Sequence, residues 1–96
     1  MLARVKLALM LSTSDFDNEL NGLISAAIKD LNIAGVNGDP VTKQTTDEIV
    51  IRAIITYVCY QFELLYGDQD RAKNLKVSYD EQKAQLSMST GYTVWS

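Results

Sequence analysis

IVIRAIITYVCYQFELLY, residues 49–66, is the stretch whose reading decides the fold of this chain. Ile49, Val50, Ile51, Ile54, Ile55 and Val58 are β-branched, a composition that favours strands. Length argues the other way: about eighteen residues run on without Gly, Pro or a turn signal, whereas strands usually span ~5–6 residues. The polar members Arg52, Thr56 and Glu63 recur at i, i+4 and i+11, which puts them on one stripe of a helix. The spacing predicts a helix over about 46–66, capped by Thr45 or Thr46, with Asp47 and Glu48 favouring its positive end. Being apolar on most sides, it needs cover from several neighbours and reads as the central core helix. Arg52, Gln61 and Glu63 interrupt the run, so no membrane crossing is expected.

Upstream, Phe16, Leu20, Leu23, Ile24, Ala27, Ile28 and Leu31 share one face, with Asn18, Asn21, Ser25, Lys29 and Asp30 opposite. This predicts an amphipathic helix over about 14–33. Ser14 and Asp17 form a capping-box-like pair at its start, and Gly35 suits its C-terminal cap. From Ile33 to Thr45 the Gly, Asn and Asp-Pro content predicts a long loop, of the kind that often carries function. Before it, Leu2, Val5 and Leu9 predict a short helix over 2–11, stopped by Ser12-Thr13-Ser14-Asp15. Its run Leu7–Leu11 is too short for the ~7–15 apolar residues of a secretory signal. Downstream, Gly67 ends the central helix and Asp68 caps a fourth over 68–88. Ala72, Leu75, Tyr79, Gln82 and Leu86 form its inward seam at alternating spacings of three and four. Gly91 ends that helix and leaves a tail, 91–96, holding Tyr92 and the single tryptophan, Trp95. The fold expected is all-α: one small four-helix, bundle-like domain with a long loop between helices 2 and 3 and an extended C-terminal tail.

Composition narrows the function. A net charge of −3 and a pI of about 4.7 do not suit a protein that grips nucleic acid, which needs clustered cations. Arg71, Lys73 and Lys76 share a helix with Asp68, Asp70, Asp80 and Glu81, a mixed solvated face. The lone Cys59 sits in an apolar run and reads as a buried thiol in a reducing cytoplasm. Without histidine there is no Cys–His nucleophile, and no phosphate-loop, dinucleotide or hydrolase motif is present. Asp15-x-Asp17-Asn18 resembles the start of a calcium loop, but Leu20 and Ala26 stand where its Gly and Glu belong. No enzyme, cofactor or metal site is expected. Association remains: aromatic residues crowd the C-terminal half, and Tyr and Trp are favoured at interfaces. Tyr57, Tyr60 and Phe62 read as core, whereas Tyr66, Tyr79, Tyr92 and Trp95 are the candidate assembly residues.

In the order of its parts the chain resembles the small head–tail connector proteins of long-tailed bacteriophages, also described as DNA-packaging or head-completion proteins. VKLAL opens it, then come the Ser/Thr/Asp break, DNELNGLISAAIKDLNIAG, a variable loop, IRAIITYVCYQF and LKVSYDEQKAQLSMSTGYTVW. The closing segment is the most specific: Tyr-Asp-x-x-Lys-x-x-Leu running into Ser-x-Ser-x-Gly-Tyr-Thr is hard to produce by core packing alone. The resemblance implies an all-helical virion protein at the head–tail junction, made in the host cytoplasm. It implies a homo-oligomeric ring, twelve subunits in the virion, beneath the portal protein. The ring would extend the DNA channel and meet the next head-completion or tail protein. DNA would pass through it without sequence-specific binding, and no catalytic residue is implied. Two alternatives stand beside it. One is a helix-turn-helix DNA-binding regulator or antitoxin, reading through Arg71, Lys73, Asn74 and Lys76. The other is a helical adaptor or dimeric scaffold outside phages.

Overall fold

A computed structural model describes residues 1–34, 41, 42 and 44–88. Among them are four α-helices and no strand: α1 (Leu2–Ala8), α2 (Asp17–Ile33), α3 (Glu48–Tyr66) and α4 (Gln69–Met88). The stretch at 49–66 is thus one continuous helix. Its cap is Asp47, whose carboxylate accepts from the Ile49 N–H at 3.0 Å, and neither Thr45 nor Thr46 takes that place. Thr45 is already committed, its hydroxyl accepting from the Thr42 N–H at 2.9 Å.

α1 stops three residues before the expected Leu11. Met10 adopts a left-handed backbone, φ 58°. The Leu11 N–H reaches back to the Lys6 carbonyl at 2.8 Å and the Met10 N–H to the Leu7 carbonyl at 3.1 Å. These two bonds make a Schellman closure, with methionine at the position glycine usually fills. α2 opens without the Ser14 capping box: its cap is Phe16, which offers no side-chain acceptor. The Asp17 carboxylate turns instead to Lys6, 2.9 Å away, and Thr13 accepts from the Asp15 N–H at 3.1 Å. At the other end Ala34 occupies the cap position, and Gly35 lies outside the described residues. Asp68 does cap α4, accepting from the N–H groups of Asp70 (2.9 Å) and Arg71 (3.3 Å).

Packing follows the stripes. Val5 of α1, Leu20, Ile24, Ala27 and Leu31 of α2, and Val50, Ala53, Ile54 and Val58 of α3 form one buried core. Tyr79 and Leu86 close it from α4; Ala72 of the expected seam is also buried, whereas its Leu75 and Gln82 are only partly buried. Phe16 and Glu19 at the start of α2 meet Phe62 and Tyr66 at the end of α3, so these helices run antiparallel. α4 returns antiparallel to α3 through the Gly67-Asp68 turn, bringing Tyr79 against Tyr57 with ring centroids 5.1 Å apart. Part of the long connection is anchored as well. Val41 is buried, and the Asn32 amide donates to its carbonyl (2.9 Å) and accepts from its N–H (2.7 Å). The Asn32 amide therefore completes both backbone groups of Val41, as a neighbouring strand would.

By length and composition alone α3 passes as a membrane-crossing helix, despite its polar interruptions. Val50, Ala53, Ile54, Val58 and Cys59 instead face the core of this domain, which makes it the central helix. Burial pushes the Cys59 thiol above its ordinary range, so it stays protonated.

Candidate assembly surface

Tyr66 ends α3 half-exposed, at 55%. Its ring leans on Phe16 and Phe62, centroids 5.4 and 5.1 Å away, and its hydroxyl donates to the Glu19 carboxylate at 2.8 Å. That bond, more than its partial burial, holds the phenol above its ordinary range. Leu64 and Leu65 beside it are also exposed. The end of α3 therefore presents three large apolar side chains on a rigid aromatic base. Charge of both signs borders it: Glu19 holds the Tyr66 hydroxyl, and Asp70, Lys73 and Lys76 line a shallow groove beside Leu64.

Tyr79 is placed differently from a surface aromatic. It is only 3% exposed, and its hydroxyl donates to Asp30 of α2 at 2.5 Å. Lys83 reaches the same carboxylate oxygen at 3.2 Å and lies over the Tyr79 ring, 5.3 Å from its centroid. Partial burial raises the Asp30 pKa, but the Tyr79 and Lys83 hydrogen bonds and the Lys83 charge outweigh it, and the net shift is downward. This cluster ties α2 to α4 inside the domain. Tyr92 and Trp95 lie outside the described residues.

A groove runs between α1 and α4, floored by α3. Arg4, Leu7 and Ala8 form one wall, Gln82 the other, and Arg52, Ile55 and Thr56 the floor, enclosing ≈ 380 Å³. Arg4 is held in place by Glu48 through two hydrogen bonds of 3.0 and 2.5 Å. These bonds, with the fields of Arg4 and Arg52, keep the Glu48 carboxyl below its usual range despite some desolvation. Arg52 has no ion pair among the described residues, and Leu7 stands 79% exposed at the lip. Thr56 turns its hydroxyl back to the Arg52 carbonyl at 2.9 Å. Sequence reasoning did not single out this groove. Its traces are Leu7, which falls off the Leu2–Val5–Leu9 stripe, and the polar pair Arg52 and Thr56 on an otherwise apolar helix.

The basic residues of α4 do not form a reading face. Lys76 is paired with Asp80 at 2.8 Å on the same helix, and Asp70 and Glu81 dilute the rest. Among the described residues no group of three or more metal-ligating side chains stands together; what this arrangement offers is exposed apolar surface with charge at its edges.

Comparison with known proteins agrees with that reading. No curated protein and no solved structure matches the chain. The sequence profile described as "Phage connector protein" matches residues 1–93, nearly the whole chain. An all-helical domain whose unspent chemistry is apolar surface is thus placed, by that match, in the phage connector protein family, a family of structural proteins of the phage particle.

Proposed function

We propose that this chain assembles as a ring at the head–tail junction, beneath the portal protein, and there lengthens the DNA channel. Twelve copies would match the portal, and the far side of the ring would receive the next head-completion or tail protein. Membership of the connector family carries the reading. The exposed apolar side chains support it: Leu7 of α1 and Ile49 at the start of α3, and Leu65 and Tyr66 at the end of α3, all stand in water, where a neighbouring copy would cover them.

DNA passes through such a ring without sequence-specific binding. A net charge of −3 fits a wall along which DNA slides, because phosphate-gripping surfaces need clustered cations. Purified rings that hold duplex DNA firmly at physiological salt would remove this support.

Electron microscopy of the purified protein, alone and with portal protein, tests the reading: rings coaxial with the portal are expected, and a chain bound to neither itself nor the portal refutes it. Of the candidate residues, Tyr66 touches the neighbour directly, Tyr79 supports it from inside, and Tyr92 and Trp95 contribute from the tail. Deleting residues 92–96 should weaken assembly while leaving helical content intact, and unaltered assembly would remove the tail from the interface. The loop at 33–45 should gain hydrogen-exchange protection on assembly.

A further inference from the structure

A ring requires each copy to carry two different, mutually complementary patches, since a single self-complementary patch closes at a dimer. Two such patches are present on the described surface, centred on different parts of α3. One is the α1/α4 groove around Arg52 and Ile55. The other is the α3–α4 corner around Leu65, about ten residues farther along the helix and so ~15 Å away.

Their chemistry is matched. The groove has apolar walls from Leu7, Ala8 and Ile55 and a guanidinium, Arg52, without an ion pair among the described residues. The corner projects Leu64 and Leu65, both exposed, and Asp70 stands beside Leu64, with Lys73 and Lys76 farther along the same face of α4. The Asp70 side chain likewise has no ion pair among the described residues. Arg4 is bound directly to Glu48, whereas Arg52 meets that carboxylate only through its field, which leaves the Arg52 guanidinium as the one in the groove that an incoming acid can pair with. A second copy of this chain therefore fits the groove better than a cationic or a purely apolar partner.

We propose that the α3–α4 corner of one copy seats Leu64 and Leu65 in the α1/α4 groove of the next, with Arg52 against Asp70. This rests on the ring reading and names its contact. Apolar burial supplies affinity, and the charge pair sets which face meets which.

The test uses two exposed positions, Leu7→Asp to disable the groove and Leu65→Asp to disable the corner. Placing a carboxylate in the apolar contact should weaken self-association about tenfold or more, with far-UV circular dichroism unchanged. Each variant alone should sediment as a monomer. Mixed, they should form a one-to-one dimer and nothing larger, because one functional groove and one functional corner remain. Charge reversal is the second arm: Arg52→Glu should weaken assembly and Asp70→Arg in the same chain should restore it.

Variants that assemble like the wild type, a mixture that stays monomeric, or a charge reversal without rescue would overturn the pairing and leave the ring reading standing. A wild-type chain that bound neither itself nor the portal would overturn the ring reading itself.

Discussion

Replacing Tyr79 with phenylalanine keeps the buried ring against Tyr57 and removes one hydroxyl. That hydroxyl donates to Asp30 at 2.5 Å and is one of the few side-chain links between α2 and α4. A hydrogen bond to an ionised group contributes about 1.5–3 kcal/mol net. Two features lower that figure here. Lys83 continues to partner the same oxygen at 3.2 Å, and the Asp30 side chain is 38% exposed, so water replaces part of what is lost. The expected loss is therefore about 1–2 kcal/mol, which lowers a urea midpoint by roughly 1 M for a domain of this size. Urea denaturation followed by far-UV circular dichroism, at one fixed protein concentration, measures it. The pH dependence has a definite sign. Because the folded-state pKa of Asp30 is depressed, its contribution is complete above the unfolded carboxyl pKa of about 3.9 and is lost as pH falls through the lower folded value. The gap between wild type and Tyr79→Phe should hold at neutral pH and narrow through that acidic window. A double-mutant cycle with Asp30→Asn isolates the pair. A loss under ~0.3 kcal/mol, or an equal loss in the Asp30→Asn background, would refute the role given to this bond.

Three further outcomes follow from local geometry. Met10→Gly should stabilise the chain by about 0.5–1 kcal/mol and raise the melting temperature by a few degrees, since glycine takes φ 58° without the strain methionine carries; a lower melting temperature would contradict the helix-end assignment. Asn32→Ala should cost about 1–3 kcal/mol and selectively speed hydrogen exchange at the Val41 amide, which loses its acceptor; unchanged exchange there would mean the amide clamp does not form in solution. Asp47→Ala should cost about 1 kcal/mol in thermal unfolding, while Thr46→Ala should cost little, because Asp47 alone accepts from the first turn of α3; the reverse order would restore the threonine cap.

The corrections to the sequence reading have a common origin. Ser14, Thr45 and Thr46 are all competent caps by composition, and none is used as one. Which oxygen caps a helix depends on how the preceding turn is folded, and that turn is itself shaped by partners far along the chain. Thr45 is drawn to Thr42, and Asp17 to Lys6 of another helix. Asp68 is the cap read correctly because the turn before α4 is short: helix, glycine and acid follow one another, leaving few competing geometries.

The candidate site was legible only in part. Tyr66 could be picked out as an exposed aromatic because it ends an apolar helix just before Gly67. Tyr79 could not be separated from it, since a heptad position shows that a side chain faces inward and not that a carboxylate awaits it on another helix.

Sequence periodicity alone determined that the chain is helical, which stripe of α2 faces the core, and that α4 buries Ala72, Tyr79 and Leu86. It also determined that α3 is too apolar to stand alone. Which sides of α3 are covered was decided only by the tertiary structure, and with them which residues stay outside: Arg52 above the half-buried Ile55 in a groove, Leu64 and Leu65 at a corner. The physical reason is that a helix's own repeat reports the directions of its side chains. Cover depends on where the other three helices end, and those ends are set by turns, caps and long-range pairs such as Arg4–Glu48 that no single repeat encodes.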